Sequence, residues 1–512
     1  MTRDSCPLPA HPLGEQSLVV EWAGVDVDSF HGTVRVEWDH EAAMTPLGQL
    51  PFFIDFLKTA GLFDAFVADC PLRYGSPNAP KKRDVLGTAM LAMLAGAKRY
   101  AHIAALRGDA VLPELLGMTK VLSEDAIRRA FKAIDEEEGA AWLRGHLAFC
   151  VEPLLAEPWI LDADTTIKPL YGHQEGAVLG YNPRKPGRPS HCYHTYSMAS
   201  TRLVFDVDVS PGDEHTSKHS APGLWAFLDR LPRDLWPALL RGDCGLGNEG
   251  VMREAEARRL PYLFKLRLTK NVRRMIEKLS GREWVNAGQG FWAKESVVRL
   301  EGWSRQRRAI VLRRRLKGAV GLSCDDENGM AQLSFAAIGE AAEVYEYSVL
   351  VTSLDEETET FGQLYRDRGD GENIFDEMKN QWGWGGFTTH DLARCRLAAR
   401  MLALIYDWWN IFVRLADPNL HREAVTSRPL FLSAIATRTR HARQTTIRVT
   451  SCHAKAKPAA RALAAVAVFL RGLAQNAEQL TRPQKWRAIL SRAFRAFLNG
   501  RLLHPPPRLA PT

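Results

Sequence analysis

The chain has 512 residues, a net charge of +8 at pH 7, and 46% hydrophobic and 25% charged residues, an ordinary composition for a soluble globular protein of about two to four domains. Its longest apolar runs, Val85 to Ala97 and Ala462 to Leu470, fall short of the roughly 20 residues of a membrane span, which argues against a membrane protein. The eight scattered cysteines include no C-x-x-C pair, and the first twelve residues lack the apolar stretch of a secretory signal, so we expect a reducing cytoplasm and no disulfide framework.

The positive charge is concentrated near the C-terminus. From Asp417 onward there are 17 Lys and Arg against 3 Asp and Glu, a net +14, so the first 416 residues sum to −6. Such a basic region indicates a polyanionic partner, most often nucleic acid, although it can also serve solubility alone. Apolar residues between the charges favour folded amphipathic helices.

The first 150 residues divide into an arm and a helical region. Residues 1–45 alternate in VVEWAGVDV and GTVRVEWD, which predicts an N-terminal arm or small hairpin. Residues 46–150 have helix-spaced apolar positions, and Ser123 is a good N-cap for a helix that carries Arg128, Arg129 and Lys132. A helix-turn-helix DNA reader fits this pattern, and so does a plain helical bundle, because the region is not markedly basic.

From Pro158 the pattern changes to short strands. PWILDADTTI places Asp162 and Asp164 on one face of a strand, two strand-like runs follow, and ALLRGDCG ends a later strand at Asp243. The order over residues 151–279 is three neighbouring strands, helix, strand, helix and strand. This order predicts an α/β layer with a mixed sheet.

A basic loop, GYNPRKPGRPSH (Gly180 to His191), interrupts these strands. Three prolines stiffen the backbone that carries Arg184, Lys185 and Arg188. We expect these three cations to contact phosphates; a merely solvated loop is the alternative.

Residues 280–345 are predicted as a β insertion. Short strand-like runs, FWAKESVVRL, RRAIVLRRR and AQLSFAAI, are separated by glycines and polar turns. Trp303, in GWSRQRR, could stack on a base flipped out of the duplex. Trp284 and Trp292 compete for that role, and a core position is the simpler interpretation of each tryptophan. Residues 346–387 hold the next motif, and residues 388–512 are predicted to be helical.

The stretch YRDRGDGENIFDEMK (Tyr365 to Lys379) carries four chemical groups at helical spacing. These groups belong to Tyr365, Arg368, Glu372 and Lys379. Their offsets of three, seven and fourteen return to nearly the same side of a helix. Gly369 and Gly371 argue against one continuous helix, so we predict that Asp370 caps a helix beginning around Gly371. The set suits a carboxylate that holds a metal beside an anionic substrate, and it also suits a solvated face of ion pairs.

Asp164, Asp243 and Glu372 are carboxylates in a strand, at a strand end and near a helix start. Strand ends are where sites gather in α/β sheets. Converging carboxylates repel one another unless a cation offsets their charge, and their oxygens suit Mg²⁺ or Mn²⁺. Two such ions about 3.5–4 Å apart can hold the attacking and leaving oxygens of a phosphodiester in line. Basic surroundings make nucleic acid the matching substrate, although 59 acidic residues offer many such triples.

Three sequence blocks resemble the DDE transposases of bacterial insertion sequences: DADTTIKPLYGHQEGAVLGYNPRKPGRPSH, RGDCGLGNEG and Y-x₂-R-x₃-E-x₆-K. The resembling group is the one with the Tyr-Arg-Glu-Lys signature, and the basic loop points to its thirteen-eighty family. The resemblance runs from about Pro46 to about Leu415. It implies an α/β, RNase H-like mixed-sheet catalytic core at 151–279 and 346–387, with the β insertion between them and helical regions on both sides.

The resemblance also implies roles for individual residues. The implied ligands of two Mg²⁺ or Mn²⁺ ions are Asp164, Asp243 and Glu372, and the implied DNA contacts are Tyr365, Arg368 and Lys379. In such enzymes a metal-activated water hydrolyses one strand at the end of the element. The freed 3′-hydroxyl then attacks another phosphodiester, first in excision and finally in target DNA.

Some positions depart from the family pattern or leave alternatives open. Cys244 and Leu246 follow the second Asp where the family more often has a serine and an aromatic residue. Other carboxylates could replace or support the expected ligands: Asp162 for Asp164; Asp370, Asp376 or Glu377 for Glu372; and Asp206 or Asp208 as support. The spacing of His191, Cys192 and His194 differs from that of a usual zinc site.

The predicted function is a transposase that binds double-stranded DNA, namely the terminal inverted repeats of its element and the target. We expect a homodimer in the synaptic complex, no membrane partner, and a bacterial cytoplasmic, nucleoid-associated location. Residues 46–150 are expected to bind the repeats, and the basic region 388–512 to make dimer and DNA contacts. The alternatives are a catalytically silent DNA-binding descendant, against which the three carboxylates argue, and a structure-specific nuclease on the same core.

Overall fold

The computed structural model describes residues 24–39, 41–182, 185–214, 216–279, 283–315, 345–384, 386–387, 389–442, 444–475 and 480–503. The N-terminal part begins with an exposed antiparallel hairpin and continues as helices. Its elements are β1 (Val25–Ser29), β2 (Gly32–Val36), β3 (Met44–Thr45), α1 (Leu50–Thr59), α2 (Leu62–Asp69), α3 (Lys82–Leu94), α4 (Leu112–Leu115), α5 (Glu124–Lys132) and α6 (Glu136–Val151).

The middle of the chain alternates strands and helices. Its strands are β4 (Ile160–Pro169), β5 (Ser190–Met198), β6 (Leu203–Pro211), β7 (Leu239–Gly242), β8 (Tyr262–Lys265), β9 (Val285–Asn286), β10 (Phe291–Val298), β11 (Arg307–Arg315) and β12 (Tyr345–Thr352). Its helices are α7 (Thr216–Leu228), α8 (Glu249–Ala257), α9 (Lys270–Glu277), α10 (Thr360–Arg366) and α11 (Gly369–Asn380).

The nine strands β4 to β12 form one mixed sheet in the order β6-β5-β4-β7-β8-β12-β11-β10-β9. Strands β4, β7 and β8 run parallel to one another, and all other neighbouring pairs in the sheet are antiparallel. The buried pattern of β4 and β7 fits a central position covered on both faces. The predicted α/β class, a mixed-sheet core with added β-strands between helical regions, is confirmed.

The β insertion extends the core sheet. Strands β9, β10 and β11 add beyond β12, which itself pairs with β8. The predicted strand AQLSFAAI (331–338) lies outside the described residues. The insertion therefore widens the sheet on the side away from β6, and β4 and β7 stay in its other half.

The C-terminal part is helical except for one hairpin. Its elements are α12 (Leu392–Ala416), α13 (Ala424–Phe431), β13 (Ala436–His441), β14 (Gln444–Val449), α14 (Ala456–Gln475) and α15 (Arg482–Ala493). Strands β14, β13 and β3 form a three-stranded antiparallel sheet. This hairpin interrupts a region for which the sequence predicted helices alone.

Helix α12 is the central helix of the protein. It is buried along nearly all of its length, and it packs against β6, α6, α1, α14 and α15. The rings of Trp409 and Phe412 contact Phe53, and the Phe56 ring lies 6.3 Å from that of Trp486. Helices from both ends of the chain thus share one aromatic core. In the described part of the chain, no helix is both long and apolar enough to cross a membrane.

Candidate active site

Two successive residue pairs lie side by side on strands β4 and β7. The parallel register pairs Asp162 with Arg241 and Ala163 with Gly242. One residue further along, Asp164 of β4 comes beside Asp243, which directly follows β7. Side chains two residues apart in a strand share a face, so both pairs lie on the same side of the sheet.

The first pair is a satisfied ion pair. Arg241 donates to both carboxylate oxygens of Asp162 at 2.7 Å, and its third nitrogen donates to the Leu364 carbonyl at 2.6 Å. Both side chains are buried. Because the two oxygens of Asp162 are already bound to a guanidinium, they are poorly placed to take a metal ion.

The second pair consists of two carboxylates. Asp164 accepts from its neighbour's backbone N–H at 2.8 Å, and Asp243 accepts from the Gly245 N–H at 2.8 Å. Burial raises the pKa of Asp164 to about 6; the negative charge of Asp243 adds to the rise, and Arg368 opposes it. A carboxylate in this position favours a cation that would offset the charge.

Arg368 supplies that cation in the structure described. It donates to the second carboxylate oxygen of Asp164, lies 3.6 Å from the carboxylate of Glu372, and sits 5.6 Å from the centre of the Tyr365 ring. Burial raises the pKa of Tyr365 to about 12, the two carboxylates of the second pair add to the rise, and Arg368 lowers it. Tyr365, Arg368, Asp164 and Asp243 therefore form one cluster.

The helix that carries the signature begins slightly earlier than predicted. Tyr365 lies in α10, Arg368 stands at the N-cap position of α11, and the helix starts at Gly369 rather than near Gly371. Both glycines fall in the first turn, where N–H groups lack intrahelical partners and a glycine costs little. The side chain of Asp370 lies outside the described residues.

Helix α11 lies along strand β4. Lys379 donates to the Thr166 hydroxyl at one end, while Arg368 reaches Asp164 at the other. Glu372 lies between them along the helix, but its side chain is 73% exposed. No three His, Cys, Asp or Glu residues among the described parts of the chain form a group that could hold a metal ion. Glu372 is thus near the aspartate pair without joining it.

The other described carboxylates of α11 have structural partners. Glu377 is buried and accepts from the Trp382 indole at 3.2 Å and the Ala424 N–H at 2.9 Å, and it contacts His421 at 3.0 Å. Asp376 accepts from Asn380 one turn later. Glu372 is therefore the described acid of this helix that contacts the Arg368 cluster.

The chemistry of the donors fits a divalent cation. Asp164 and Asp243 present hard oxygen ligands side by side, and a bound divalent ion would offset the burial and the like charge that raise the pKa of Asp164. Glu372 brings a third carboxylate to within 3.6 Å of the Arg368 guanidinium, which in turn pairs with Asp164. In this conformation the two aspartates could hold such an ion, and Glu372 would have to turn inward to join them.

Among the described residues, the β6 edge of the sheet offers no second site of this kind. Asp206 is buried between Arg144 at 2.6 Å and Arg400 at 2.9 Å, and Asp208 pairs with Arg400 at 3.0 Å. These ion pairs fasten β6 to α6 and α12. His194 bridges the Thr165 and Ser210 hydroxyls at 2.9 Å each, a structural role that accounts for both ring nitrogens.

A family model described as transposase DDE domain group 1 matches residues 76–469. The matched range covers well over half of the chain and includes the aspartate pair, Glu372 and both flanking cations. The chain belongs to this family of DDE transposases.

Further comparisons add little to this assignment. No curated protein matches the DDE transposase chain. A cryo-EM structure of the piggyBac transposase synaptic complex with hairpin DNA aligns with 91% of this chain and 87% of that chain, at 11% identity and a TM-score of 0.38. A similarity this low supports no conclusion about function, so the family assignment depends on the sequence match.

The basic loop of the transposase chain presents an aromatic ring between cations. Lys185 donates to the hydroxyl of Tyr171 and lies 5.0 Å from its ring centre, and Arg188 lies 4.8 Å from the same ring. All three side chains are exposed. Gly180 anchors the loop, because a Cβ there would lie 1.8 Å from the Gly212 carbonyl oxygen. Arg184, the third predicted cation, lies outside the described residues.

Trp303 occupies a core position, the simpler of its two interpretations. Its side chain is 7% exposed and packs under Arg307, whose guanidinium lies 5.1 Å from the ring centre. A buried indole offers no free face to a base. Trp284 is also packed, at 4.2 Å from Arg313, whereas Trp292 on β10 is 40% exposed.

Arg241 is the important residue that the sequence analysis missed. A signal was present in the sequence, because a charged residue lies two positions before each expected ligand: Asp162 before Asp164 in DAD, and Arg241 before Asp243 in RGD. Only the parallel register brings those charged residues together. Lys168 was missed as well; it is buried on the same face of β4, and burial lowers its pKa to about 8.

Proposed function

We propose that this chain is a divalent-metal-dependent DNA transposase that binds the terminal inverted repeats of its bacterial insertion sequence, cleaves there and joins the freed ends to target DNA. The observation that carries the proposal is the pair of neighbouring carboxylates, Asp164 and Asp243, on adjacent parallel strands beside Arg368. A structural pair would be built like Asp162 and Arg241, with opposite charges.

Asp164, Asp243 and Glu372 would hold two Mg²⁺ or Mn²⁺ ions. When bound, these ions supply an activated water nucleophile and stabilise the charge that develops on the phosphodiester. Glu372 is the mobile member of the set, since its exposed side chain is linked to the cluster only through Arg368 at 3.6 Å. Its inward rotation would complete the ligand set.

The cations of the signature would bind the DNA end. Arg368 now neutralises Asp164, and a metal ion at the aspartates would free its guanidinium to donate to a DNA phosphate. Lys379, held at Thr166, adds a second positive charge along the same strand. Tyr365, with a pKa raised to about 12, stays protonated at neutral pH and can donate a hydrogen bond.

Other surfaces extend the DNA contact. The exposed Lys185 and Arg188 around Tyr171 offer cations and an aromatic face to a phosphate backbone or an unstacked base. We propose that Arg184 contacts a phosphate, as Lys185 and Arg188 do, and that the exposed Trp292, rather than the buried Trp303, stacks on a base. We propose repeat binding by 46–150 and a synaptic homodimer, acting on the nucleoid in the bacterial cytoplasm.

A cleavage assay tests the proposal. Labelled duplexes from the DNA that flanks the coding sequence are incubated with Mg²⁺ or Mn²⁺ and the full chain, Asp243→Asn, Glu372→Gln or the control Asp376→Asn. We expect cleavage at one defined position on each flank and joining of the 3′ ends to added target. Asp243→Asn and Glu372→Gln should abolish both reactions, and Asp376→Asn should retain them.

Other outcomes would replace the proposal. Binding of the flanks without cleavage by any form would identify a catalytically silent DNA-binding protein. Cleavage without joining would identify a nuclease on the same core. Retained activity in Glu372→Gln would remove Glu372 from the ligand set and leave the aspartate pair to be completed by another residue.

A further inference from the structure

The C-terminal region contains a long segment without acidic residues. Residues 424–477 include no Asp or Glu and nine Lys or Arg. Hairpin β13–β14 lies in the middle of this segment and projects with mostly exposed side chains. A positive potential over an exposed element favours a polyanion as its partner.

The hairpin has two different faces. One face packs on the protein: Arg438 and Arg440 both pair with Glu114 of α4, and Ile447 is half-buried. Strand β13 is further anchored because its first residues pair with Met44 and Thr45 of β3. This anchoring fixes the orientation of the other face.

The outward face is polar throughout. The register places Thr437 opposite Arg448, Thr439 opposite Thr446, and His441 opposite Gln444. All six side chains are exposed, and each can donate or accept hydrogen bonds. The face thus presents a row of hydrogen-bonding groups with a positive charge and no carboxylate.

A second exposed hairpin in the chain shows that exposure alone does not produce this pattern. Strands β1 and β2 are fully exposed, and they carry Asp26 and Asp28 with Arg35 as their cation. Arg35 is paired with Asp26 at 3.4 Å and Glu37 at 2.8 Å. The absence of acids from β13–β14 is therefore a property of that hairpin.

We propose that hairpin β13–β14 is a DNA-reading ribbon whose outward face enters the major groove of duplex DNA. The major groove, about 12 Å wide, admits a two-stranded ribbon, and Arg, Gln, Thr and His side chains match the hydrogen-bonding groups on base edges. Exposed cations at the start of α14, Lys455, Lys457 and Arg461, would contact the flanking phosphates. The ribbon rests on the proposed function, in that its DNA would be the end of the element.

Binding measurements on the full chain test the ribbon. The parent for this test is the Asp243→Asn chain, and Arg448→Ala, Arg448→Lys and the control Arg35→Ala are each made in it. Fluorescence anisotropy then measures the binding of each chain to flank duplex and to scrambled duplex over a series of salt concentrations. We expect Arg448→Ala to bind flank DNA about tenfold more weakly and to lose preference over scrambled duplex. Arg448→Lys should keep the salt dependence but lose the preference, and Arg35→Ala should change neither.

The result that overturns the proposal is an Arg448→Ala chain with the affinity, salt dependence and preference of the parent, while its melting temperature shows an intact fold. Equal weakening on both duplexes, with a salt slope lower by about one, would leave a phosphate contact and refute base reading. Binding to phosphatidylserine vesicles that depends on Arg448, with unchanged DNA binding, would assign the face to a membrane. Cleavage of flank DNA is measured in a separate assay on the chain with both aspartates intact. Failure of the transposase proposal can therefore be told apart from failure of the proposal that the hairpin reads DNA.

Discussion

The two residue pairs on strands β4 and β7 lie on the same face of the sheet, two residues apart along each strand. In the first, Asp162 and Arg241 carry opposite charges and saturate each other with two bonds of 2.7 Å. In the second, Asp164 and Asp243 carry like charges, and a cation must come from elsewhere. The same strands thus hold a structural pair and a reactive pair.

The difference shows how a fold can position a repelling pair. The buried Arg241 also bonds the carbonyl of Leu364 in α10, so the first pair fixes the helix that precedes Arg368. The second pair lies at the end of β7, where the chain turns into a loop. It contains no cation of its own, so its two carboxylates need a positive charge from outside the pair. The opposite charges of the first pair mark it as structural, whereas the like charges of the second pair mark it as the candidate site.

The largest expected effect is the loss of cleavage in Asp243→Asn. The substitution keeps the shape of the side chain but removes one of the three carboxylate charges that would hold the metal ions. We expect the rate to fall at least about a thousandfold, because the metal contributes several kcal/mol to the transition state. Single-turnover cleavage of flank DNA measures the rate, and an unchanged urea midpoint controls for folding. A rate within tenfold of the parent would show that the second pair is also structural.

Breaking the first pair should affect stability. In Arg241→Met the carboxylate of Asp162 remains buried but loses the guanidinium that bonds both of its oxygens, and we expect a loss of about 3–5 kcal/mol in the free energy of unfolding by urea. The double change Asp162→Leu with Arg241→Met should recover most of that loss, because both charges are removed together. A double variant as unstable as the single one would mean that Arg241 acts chiefly through Leu364.

The second pair should make stability depend on pH. The pKa of Asp164 is raised from 3.8 to about 6 in the folded chain. Between these values the folded state binds more protons than the unfolded state, so stability falls as the pH rises, by up to about 3 kcal/mol at pH 7 and above. In metal-free buffer, Asp164→Asn should therefore be more stable than the parent at pH 7.5. Its advantage in urea unfolding should shrink as the pH is lowered to 4; an advantage independent of pH would contradict this cause.

The smallest of these effects is expected for Arg368→Met. Removing this guanidinium leaves Asp164 without its cation, but the carboxylate can take up a proton, which limits the loss to about 2 kcal/mol at pH 6. The loss should grow at pH 8, whereas that of Arg241→Met should be similar at both values. Equal losses for the two variants at pH 6 would erase the distinction between the pairs.

The sequence predicted the mixed sheet and the residues that approach one another around Asp164, because strand alternation and strand ends can be recognised locally. It did not predict the partner of Asp162, since that partner depends on the register between strands 79 residues apart. The exposure of Glu372 and the burial of Trp303 also depend on tertiary packing. Helical spacing alone placed Glu372 among its neighbours without fixing the direction of its carboxylate.

Hairpin β13–β14 was missed for a local reason. The two residues between its strands, Ala442 and Arg443, include neither the Asn nor the Gly that usually marks a tight hairpin in a sequence. Ala442 instead adopts a φ of +47°, a conformation that costs a residue with a Cβ about 1–2 kcal/mol. The alternation TRTRH followed by QTTIRV was the available signal, and the surrounding helical pattern obscured it.

The aromatic core around α12 sets the order in which a newly made chain can fold. Gln49 donates to the carbonyl of Leu430, 381 residues later, and Arg482 reaches the Ala60 carbonyl across 422 residues. At about 5–20 residues per second of synthesis, the first helices wait roughly 20–80 s for these partners. Each ribosome-bound copy therefore carries an unfinished N-terminal half until the residues around Leu430 and Arg482 have left the ribosome.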